Sequence, residues 1–252
     1  MSAVPSLDSL RIELFADGAD LEQLRRLAAE TYIRGFTTNP TLMGKARIIG
    51  YREFAAEAVE IVGERPISFE VFSDDFAEME AQARAISAWG PNVFVKVPVT
   101  DTAGTSTLPV IRRLTGDGVK VNVTAMTSPA QVEVVLAGLE PEVPAFLSVF
   151  AGRVADTGRD PVPLMREAVA LLEPLPQARL IWASPRELLN IFQADEIGCH
   201  VITVTPDVLA KLPLVGKDLA VFSIETVRMF HDDARTAGFA IELERSASTN
   251  IA

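Results

Sequence analysis

The sequence is poor in the residues that bind metals or form disulfides. Its 252 residues contain one cysteine and two histidines. A single cysteine, Cys199, cannot form an intrachain disulfide. Cys199 and His200 are neighbours at the start of a predicted strand, where successive side chains diverge, and His231 lies far along the chain, so this set argues against a zinc site. We expect no metal and no other cofactor.

A long hydrophobic run and an excess of positive charge are also missing. No stretch reaches the roughly 18 apolar residues of a membrane span. Residues 1–11 lack the cationic start and apolar run of a signal peptide. The net charge is −11 without a basic stripe, which argues against nucleic acid as a partner. We therefore expect a cytoplasmic protein that binds neither membranes nor nucleic acid, although a few local arginines can still hold an anionic metabolite.

Short apolar segments alternate with helical patterns along the whole chain. Several are continuously apolar, as in parallel strands that are covered on both faces. The eight segments begin at Ile12, Gly35, Ile67, Asn92, Val119, Phe146, Leu180 and Val201. This spacing and the length predict an α/β fold, a single (β/α)8 TIM barrel in one domain over residues 1–252. An open doubly wound sheet is the alternative, but no glycine-rich dinucleotide motif follows the first strand.

The segments between the predicted strands have apolar residues at helical spacing. We predict one helix after Asp20 with an apolar stripe from Leu21 to Ala28, and another after Asp75 with a stripe from Phe76 to Ile86. Further helices are predicted over 51–62, 105–115, 128–137, 161–173 and 186–194. An extra C-terminal helix, 217–236, has apolar residues around most of its circumference. Such a helix would bury two sides, one on its own barrel and one on a neighbouring subunit, so we predict a homo-oligomer. Residues 244–252 are polar, and we expect a flexible tail.

Polar side chains occur where the predicted strands end, which is where (β/α)8 barrels carry their active sites. The candidates are Asp17, Thr38, Asn39, Glu70, Lys96, Asn122, Thr124, Ser148, Arg153, Ser184 and Arg186. Lys96 stands out because its neighbours in VFVKVPV are apolar. There, desolvation lowers a lysine pKa and favours the neutral amine that attacks carbonyls. A lysine that extends from an edge strand to water is the other interpretation.

Carboxylates and arginines complete this candidate site. Asp17 and Glu70 could pair with Lys96, or could move the protons that Schiff-base formation and retro-aldol cleavage require. Arg153 lies in a glycine-containing turn, and Arg186 lies at a predicted helix N-terminus. Helix N-termini and guanidinium groups both bind phosphate, so the two arginines predict an anion site.

Seven segments of the chain resemble the transaldolase family, in the order and strand positions of that family. They are FADGAD, GFTTNPTL, SFEV, VFVKVPVT, VKVNVTA, SVFAGR and WASPR, and the resemblance covers roughly residues 11–235. It implies that Lys96 forms a Schiff base with a ketose phosphate donor, and that an aldose acceptor takes the three-carbon unit. It also implies that Asp17 is the acid/base of C3–C4 cleavage, and that Glu70 and Thr124 position a water.

The remaining roles also come from this resemblance. Asn39 and Asn122 would bind donor hydroxyls, and the donor and its phosphate would be held by Ser148, Arg153, Ser184 and Arg186. Thr38 and Phe150 are two further candidates for substrate binding. The related fructose-6-phosphate aldolases release free dihydroxyacetone, and typically have glutamine at Glu70 and tyrosine at Phe150. Both positions follow transaldolase here, so transfer is favoured over release. The small subfamily forms rings through a C-terminal helix, which agrees with the predicted oligomer.

One departure from the family pattern and one alternative function remain open. Pro185 stands between Ser184 and Arg186 where the family has another residue, which can reshape the phosphate loop. A non-catalytic phosphosugar-binding barrel, in which Lys96 only pairs with a carboxylate, is an alternative from a different functional class.

Overall fold

Eight parallel strands close into a barrel in the computed structural model, which describes residues 6–242. Each strand pairs with its neighbour in sequence, and β1 pairs with β8 to close the barrel. The predicted (β/α)8 fold is therefore confirmed, and the open sheet is excluded. The strands are β1 (Glu13–Asp17), β2 (Ile33–Thr37), β3 (Ile67–Glu70), β4 (Val93–Pro98), β5 (Val121–Met126), β6 (Ala145–Val149), β7 (Ala178–Trp182) and β8 (Val201–Val204).

Helices follow the strands, as the sequence predicts, but with some additions. They are α1 (Leu21–Ala28), α2 (Pro40–Lys45), α3 (Tyr51–Val62), α4 (Phe76–Ser87), α5 (Leu108–Gly116), α6 (Pro129–Leu136), α7 (Ala151–Ala155), α8 (Val162–Leu171), α9 (Leu189–Glu196), α10 (Pro206–Leu209) and α11 (Leu219–Thr236). Three short helices, α2, α7 and α10, were not predicted. Each begins within three residues of a strand end, so these helices help to form the C-terminal rim of the barrel.

An aromatic layer fills the interior of the barrel. The rings of Phe15 and Phe146 meet edge to face with centroids 5.5 Å apart, and Phe94 lies 4.4 Å from Phe146. Gly35 makes room for this layer, because a Cβ at that position would come 2.5 Å from the Phe15 ring. Because these rings fill the middle of the barrel, the barrel is not an open channel. A ligand can therefore bind only at one of its two ends.

Strand alternation places polar side chains one step above this aromatic layer. Residues two apart on a strand point to the same side of the sheet. Asp17 therefore follows Phe15, Lys96 follows Phe94, and Ser148 follows Phe146. The apolar and polar layers therefore occupy successive inward-facing positions on the strands. The same sequence pattern that builds the core also places the polar groups directly next to the aromatic layer.

Outward-facing strand residues pack against the helices. Phe69 of β3 is fully buried, and its ring meets those of Phe54 and Trp89 edge to face at 6.3 and 5.5 Å. Burying one such large side chain contributes roughly 1.5–3 kcal/mol. This second apolar layer fixes the strands from outside, which keeps their C-terminal ends in register.

Contacts divide the described chain into two compact units, the barrel over residues 7–213 and a second unit that includes residues 214–242. In the second unit, Asp218 caps α11 by accepting a hydrogen bond from the Val221 backbone at 2.9 Å. Apolar side chains of α11 such as Leu219 and Phe230 are exposed. Packing of this helix on a neighbouring subunit stays a prediction. The tail expected at 244–252 lies outside the described residues.

In the part of the chain that the structure describes, none of the helices is both long and apolar enough to cross a membrane.

Candidate active site

A cavity of about 600 Å³ opens at the C-terminal ends of the strands. It contains ten of the twelve residues that the sequence predicts for the site. They are Asp17, Asn39, Glu70, Lys96, Thr124, Ser148, Phe150, Arg153, Ser184 and Arg186. Two other cavities, of about 840 and 680 Å³, lie near the starts of strands, and none of the twelve predicted site residues lines them. The candidate site is therefore identified by the residues that line the cavity and not by the cavity volume.

Lys96 lies at the centre of the polar layer. Its residue is 5% exposed, and its Nζ donates a hydrogen bond to the Thr38 carbonyl oxygen at 2.8 Å. The Glu70 Oε2 atom lies 3.4 Å from the same nitrogen. Register places Lys96 beside Glu70 on one side and Asn122 on the other. The amine is thus held inside the barrel by two oxygen atoms, and does not extend from an edge strand.

Asp17 ends β1 at the same level. Thr37 donates a hydrogen bond to Asp17 Oδ1 at 2.8 Å, and the Asn39 amide approaches Oδ2 at 3.4 Å. Burial raises the pKa of the Asp17 carboxyl above its ordinary value, while Lys96 and these two donors act in the opposite direction. The carboxyl is therefore suited to exchanging a proton with a bound molecule.

The phenol of Tyr51 holds the backbone of Glu70. Its hydroxyl donates to the Glu70 carbonyl oxygen at 2.9 Å and accepts from the Glu70 N–H at 2.8 Å. The ring packs edge to face on Phe69 and Trp89. Because Tyr51 begins α3, this contact ties the end of β3 to a helix and fixes the position of the Glu70 side chain.

Two predicted site residues do not line the cavity. Thr38 is fully buried, and its hydroxyl donates to the Ser68 carbonyl oxygen at 2.9 Å. Asn122 is also fully buried and bridges two hydroxyls, donating to Ser68 Oγ at 3.0 Å and accepting from Ser148 Oγ at 2.7 Å. Both residues support the cavity floor. Direct contact of their side chains with a substrate, as predicted from the sequence, is not favoured by this geometry.

The hydroxyl of Thr124 differs from its neighbours. It is a buried oxygen with no hydrogen-bond partner among residues 6–242, and Thr124 is 1% exposed. Leaving a buried hydroxyl without a partner costs about 1–3 kcal/mol. A group bound in the cavity would remove this cost, so the orphaned oxygen marks a polar ligand position.

Two arginines reach the cavity from the segments that follow β6 and β7. Arg186 forms a bidentate ion pair with Asp156, with Nε 2.9 Å from Oδ1 and Nη2 against Oδ2. This pair raises the pKa of Arg186 and lowers that of Asp156. The guanidinium of Arg153 has no hydrogen-bond or ion-pair partner in the described chain. An anion in the cavity can therefore still bind to the guanidinium groups of both arginines.

Gly152 of α7 allows these two segments to meet. A Cβ at Gly152 would come 1.6 Å from the Ser184 carbonyl oxygen and 3.3 Å from Arg186 Nε. Only glycine fits at this close approach. Ser184 itself has a φ of 59°, a left-handed conformation that is costly outside glycine, and Pro185 follows it.

The local structure around both arginines differs from the sequence prediction. Arg153 lies on the short helix α7, not in a turn. Arg186 precedes α9 by three residues, and its backbone N–H donates to Asn190 Oδ1 at 2.8 Å. The expectation that Arg186 offers a helix N-terminal amide to an anion is therefore wrong. The Asn190 side chain, and not an anion, accepts this N–H.

The sequence matches the family described as Transaldolase/Fructose-6-phosphate aldolase over residues 14–249. The chain belongs to this family. A probable transaldolase of Dehalococcoides mccartyi is 33% identical over 216 residues, which cover 84% of this chain and 96% of the relative. A probable transaldolase of Desulforudis audaxviator is 33% identical over 225 residues, which cover 86% and 99%. The resemblance inferred from the seven segments is confirmed, and the chain is an enzyme of the transaldolase family.

Solved structures support the fold alone. A putative dihydrodipicolinate synthase family protein from Coccidioides immitis has a TM-score of 0.57 at 16% identity, covering 94% of this chain and 79% of that chain. A putative phosphonomutase from Burkholderia cenocepacia has a TM-score of 0.55 at 12% identity, covering 88% and 94%. Barrels of this kind host many reactions, so neither match indicates an activity.

Several residues of this transaldolase-family site were not predicted from the sequence. Thr37 and Thr203 line the cavity, as does the exposed Lys45 of α2. Strand alternation was the available signal for Thr37 and Thr203, since each is two residues after an inward-facing position. Tyr51 and Asp156 gave no such signal, because each acts on a partner that is distant in sequence.

Residues 6–242 contain no group of three or more His, Cys, Asp or Glu side chains placed to hold a metal ion.

Proposed function

We propose that this protein is a transaldolase that moves a dihydroxyacetone unit from a ketose phosphate to an aldose acceptor through a Schiff base on Lys96. The observation that carries the proposal is the Lys96 amine, which is almost completely buried in the barrel and faces the cavity beside Glu70. Buried lysines are rare unless they are paired or functional. Membership of the family supports the same reaction.

Attack of Lys96 on the C2 carbonyl begins the reaction. The amine must lose a proton before it attacks, and Glu70 Oε2, 3.4 Å away, is close enough to accept that proton directly or through one water. The C2 oxygen then leaves as water, which needs a proton donor near the same carbon. The unpartnered Thr124 hydroxyl is available to hold that water on the cavity wall.

Cleavage of the C3–C4 bond requires a base for the C4 hydroxyl proton. Asp17 takes that role, since it lies at the same end of the barrel and burial raises its pKa above the ordinary value, which makes it a stronger base. As the proton moves to Asp17, the C3–C4 electrons remain on C3 and form an enamine with the protonated imine. The aldose phosphate departs, and the reverse sequence on an incoming aldehyde completes the transfer.

Arg153 and Arg186 hold the phosphate of the donor. They reach one side of the cavity from α7 and from the segment after β7, and Gly152 allows these two segments to touch. A bidentate guanidinium contact fixes both the position and the orientation of a phosphate. An acceptor aldose phosphate can use the same anion site after the first product leaves.

Transfer is favoured over release of free dihydroxyacetone. Phe150 lines the cavity, and its phenyl ring has no hydroxyl that could direct a water to the enzyme-bound intermediate. Glu70, rather than glutamine, stands beside the amine. Both positions follow the transaldolase pattern of the family resemblance.

The proposal is tested with fructose 6-phosphate, with and without erythrose 4-phosphate. Product formation is expected only with the acceptor present. Equal formation of dihydroxyacetone without an acceptor would instead indicate the aldolase, and no turnover with any ketose phosphate in a donor panel would contradict both.

A matched pair of lysine variants assigns the reaction to the cavity. Lys96→Ala is expected to abolish turnover. Lys120→Ala removes a lysine that precedes β5, where its Nζ donates to the Pro91 carbonyl oxygen at 2.8 Å outside the candidate site. That variant should keep wild-type turnover.

A further inference from the structure

A chain of two threonine hydroxyls ends on the Asp17 carboxyl. Thr37 Oγ1 donates to Asp17 Oδ1 at 2.8 Å, and Thr203 Oγ1 lies 2.5 Å from Thr37 Oγ1. Thr37 and Thr203 are 2% and 5% exposed. Strands β2 and β8 flank β1 in the barrel, so the two hydroxyls approach Asp17 from its immediate neighbours.

The direction of the hydrogen bonds in this chain follows from the number of hydrogens. A hydroxyl has one hydrogen to donate. When Asp17 is ionised, it only accepts, so the Thr37 hydrogen points to Asp17. The bond between the two threonines must then use the hydrogen of Thr203. Both hydrogens thus point toward the carboxylate.

We propose that Thr37 and Thr203 are positioning residues that stabilise the ionised form of Asp17 and so keep it available as the base of C3–C4 cleavage. This inference rests on the proposed function. A carboxylate in a partly buried site loses hydration, and charge-assisted hydrogen bonds replace part of it. Donation from Thr203 polarises the Thr37 hydroxyl and strengthens its bond to Asp17.

Other charges face Asp17 from the rest of the cavity. Lys96 of β4 favours its ionised form, and the Asn39 amide of the β2–α2 junction adds a weaker donor. Glu70 of β3 lies against Lys96 and offsets part of the lysine charge. The cavity wall also includes the charged residues Lys45, Arg153, Arg186 and Asp207. The experiment must therefore separate the hydroxyl chain from these groups, and single-hydroxyl variants do so.

Thr37→Val keeps the branched shape of the side chain and removes only the donor. The acid limb of the pH profile of kcat/KM for transfer should move to higher pH by on the order of one unit. The pH profile of borohydride trapping, which reports the Lys96 amine, should stay in place. Thr37→Ser, which restores a hydroxyl, should return the transfer profile to that of the wild type. A structural defect would lower the rate equally at all pH values and would overturn the inference.

Thr203→Val tests the second hydroxyl, and still tests the chain if Thr37→Val does not fold. Its acid limb should shift in the same direction by a few tenths of a pH unit. Because Thr203 acts through Thr37, the double variant should shift no further than Thr37→Val alone. An additive shift, or unmoved profiles in both single variants, would contradict the inference.

Failure of the inference and failure of the proposed function give different results. If the wild type forms no borohydride-stable adduct, the proposed function fails and the inference fails with it. If the wild type transfers and the acid limb does not move in the variants, only the role of the two threonines is wrong.

Discussion

Replacing Arg186 with lysine separates the geometry of the anion site from its charge. The guanidinium uses Nε and one hydrogen of Nη2 on Asp156, which leaves Nη1 and the second Nη2 hydrogen for a phosphate. Lysine keeps the positive charge but has no planar fork. The variant therefore removes the bidentate contact, with Asp156 as well as with the substrate, while leaving the net charge of the site unchanged.

The expected loss follows from the contacts. A hydrogen bond to a charged group contributes about 1.5–3 kcal/mol, which corresponds to roughly 10- to 150-fold at about 1.4 kcal/mol per tenfold change. We expect kcat/KM for a phosphorylated donor to fall by that factor. Stability should change little, because the Arg186 and Asp156 side chains are 44% and 48% exposed, and an exposed ion pair contributes at most about 1 kcal/mol.

The assay compares fructose 6-phosphate with fructose as donor, each with the same acceptor. Only the phosphorylated donor should lose rate in Arg186→Lys, and thermal unfolding should match the wild type. Arg113→Lys is the matched control, since Arg113 of α5 is half exposed and its Nε lies 2.6 Å from Oε2 of Glu80 on α4. An equal loss on both donors, or no loss on either, would refute the assignment of Arg186 to the phosphate.

Two further predictions concern the cavity. Because burial raises the pKa of Asp17 above its ordinary 3.8, ionising this carboxyl at neutral pH opposes folding. Asp17→Asn should therefore raise the thermal unfolding midpoint at pH 7, and this gain should shrink as the pH falls and the wild-type carboxyl becomes protonated. The same variant should slow transfer by about 100-fold or more. A lower unfolding midpoint than the wild type at pH 7 would contradict the reasoning. Phe150→Tyr should gain release of dihydroxyacetone in the absence of an acceptor, measured by a coupled reductase, and an unchanged acceptor requirement would count against the role given to the phenyl ring.

The barrel was predictable because its signal repeats. Eight apolar segments at regular spacing need eight parallel strands, and the helical stripes between them leave few other folds. The short helices α2, α7 and α10 were missed because one or two turns have no periodicity to detect. Asn39-Pro40 and Thr205-Pro206 are a capping residue followed by proline, which is a start signal that could have revealed α2 and α10.

Much of the candidate site was predictable for a different reason. A lysine such as Lys96 in a buried strand conflicts with the apolar pattern, and such conflicts mark functional positions. Thr37 and Thr203 cause no conflict, since threonine is an ordinary strand residue, and the Arg186–Asp156 pair joins residues 30 positions apart. Contacts of that kind depend on the folded loops, so local patterns cannot predict them.

The most direct measurement of the central claim is the mass of the Lys96 peptide after borohydride reduction in the presence of a ketose phosphate. We expect that peptide to gain one reduced three-carbon unit, and expect addition of an aldose acceptor before reduction to remove the gain. A mass gain on another lysine, or an unmodified Lys96 peptide from protein that turns over the donor, would contradict the account.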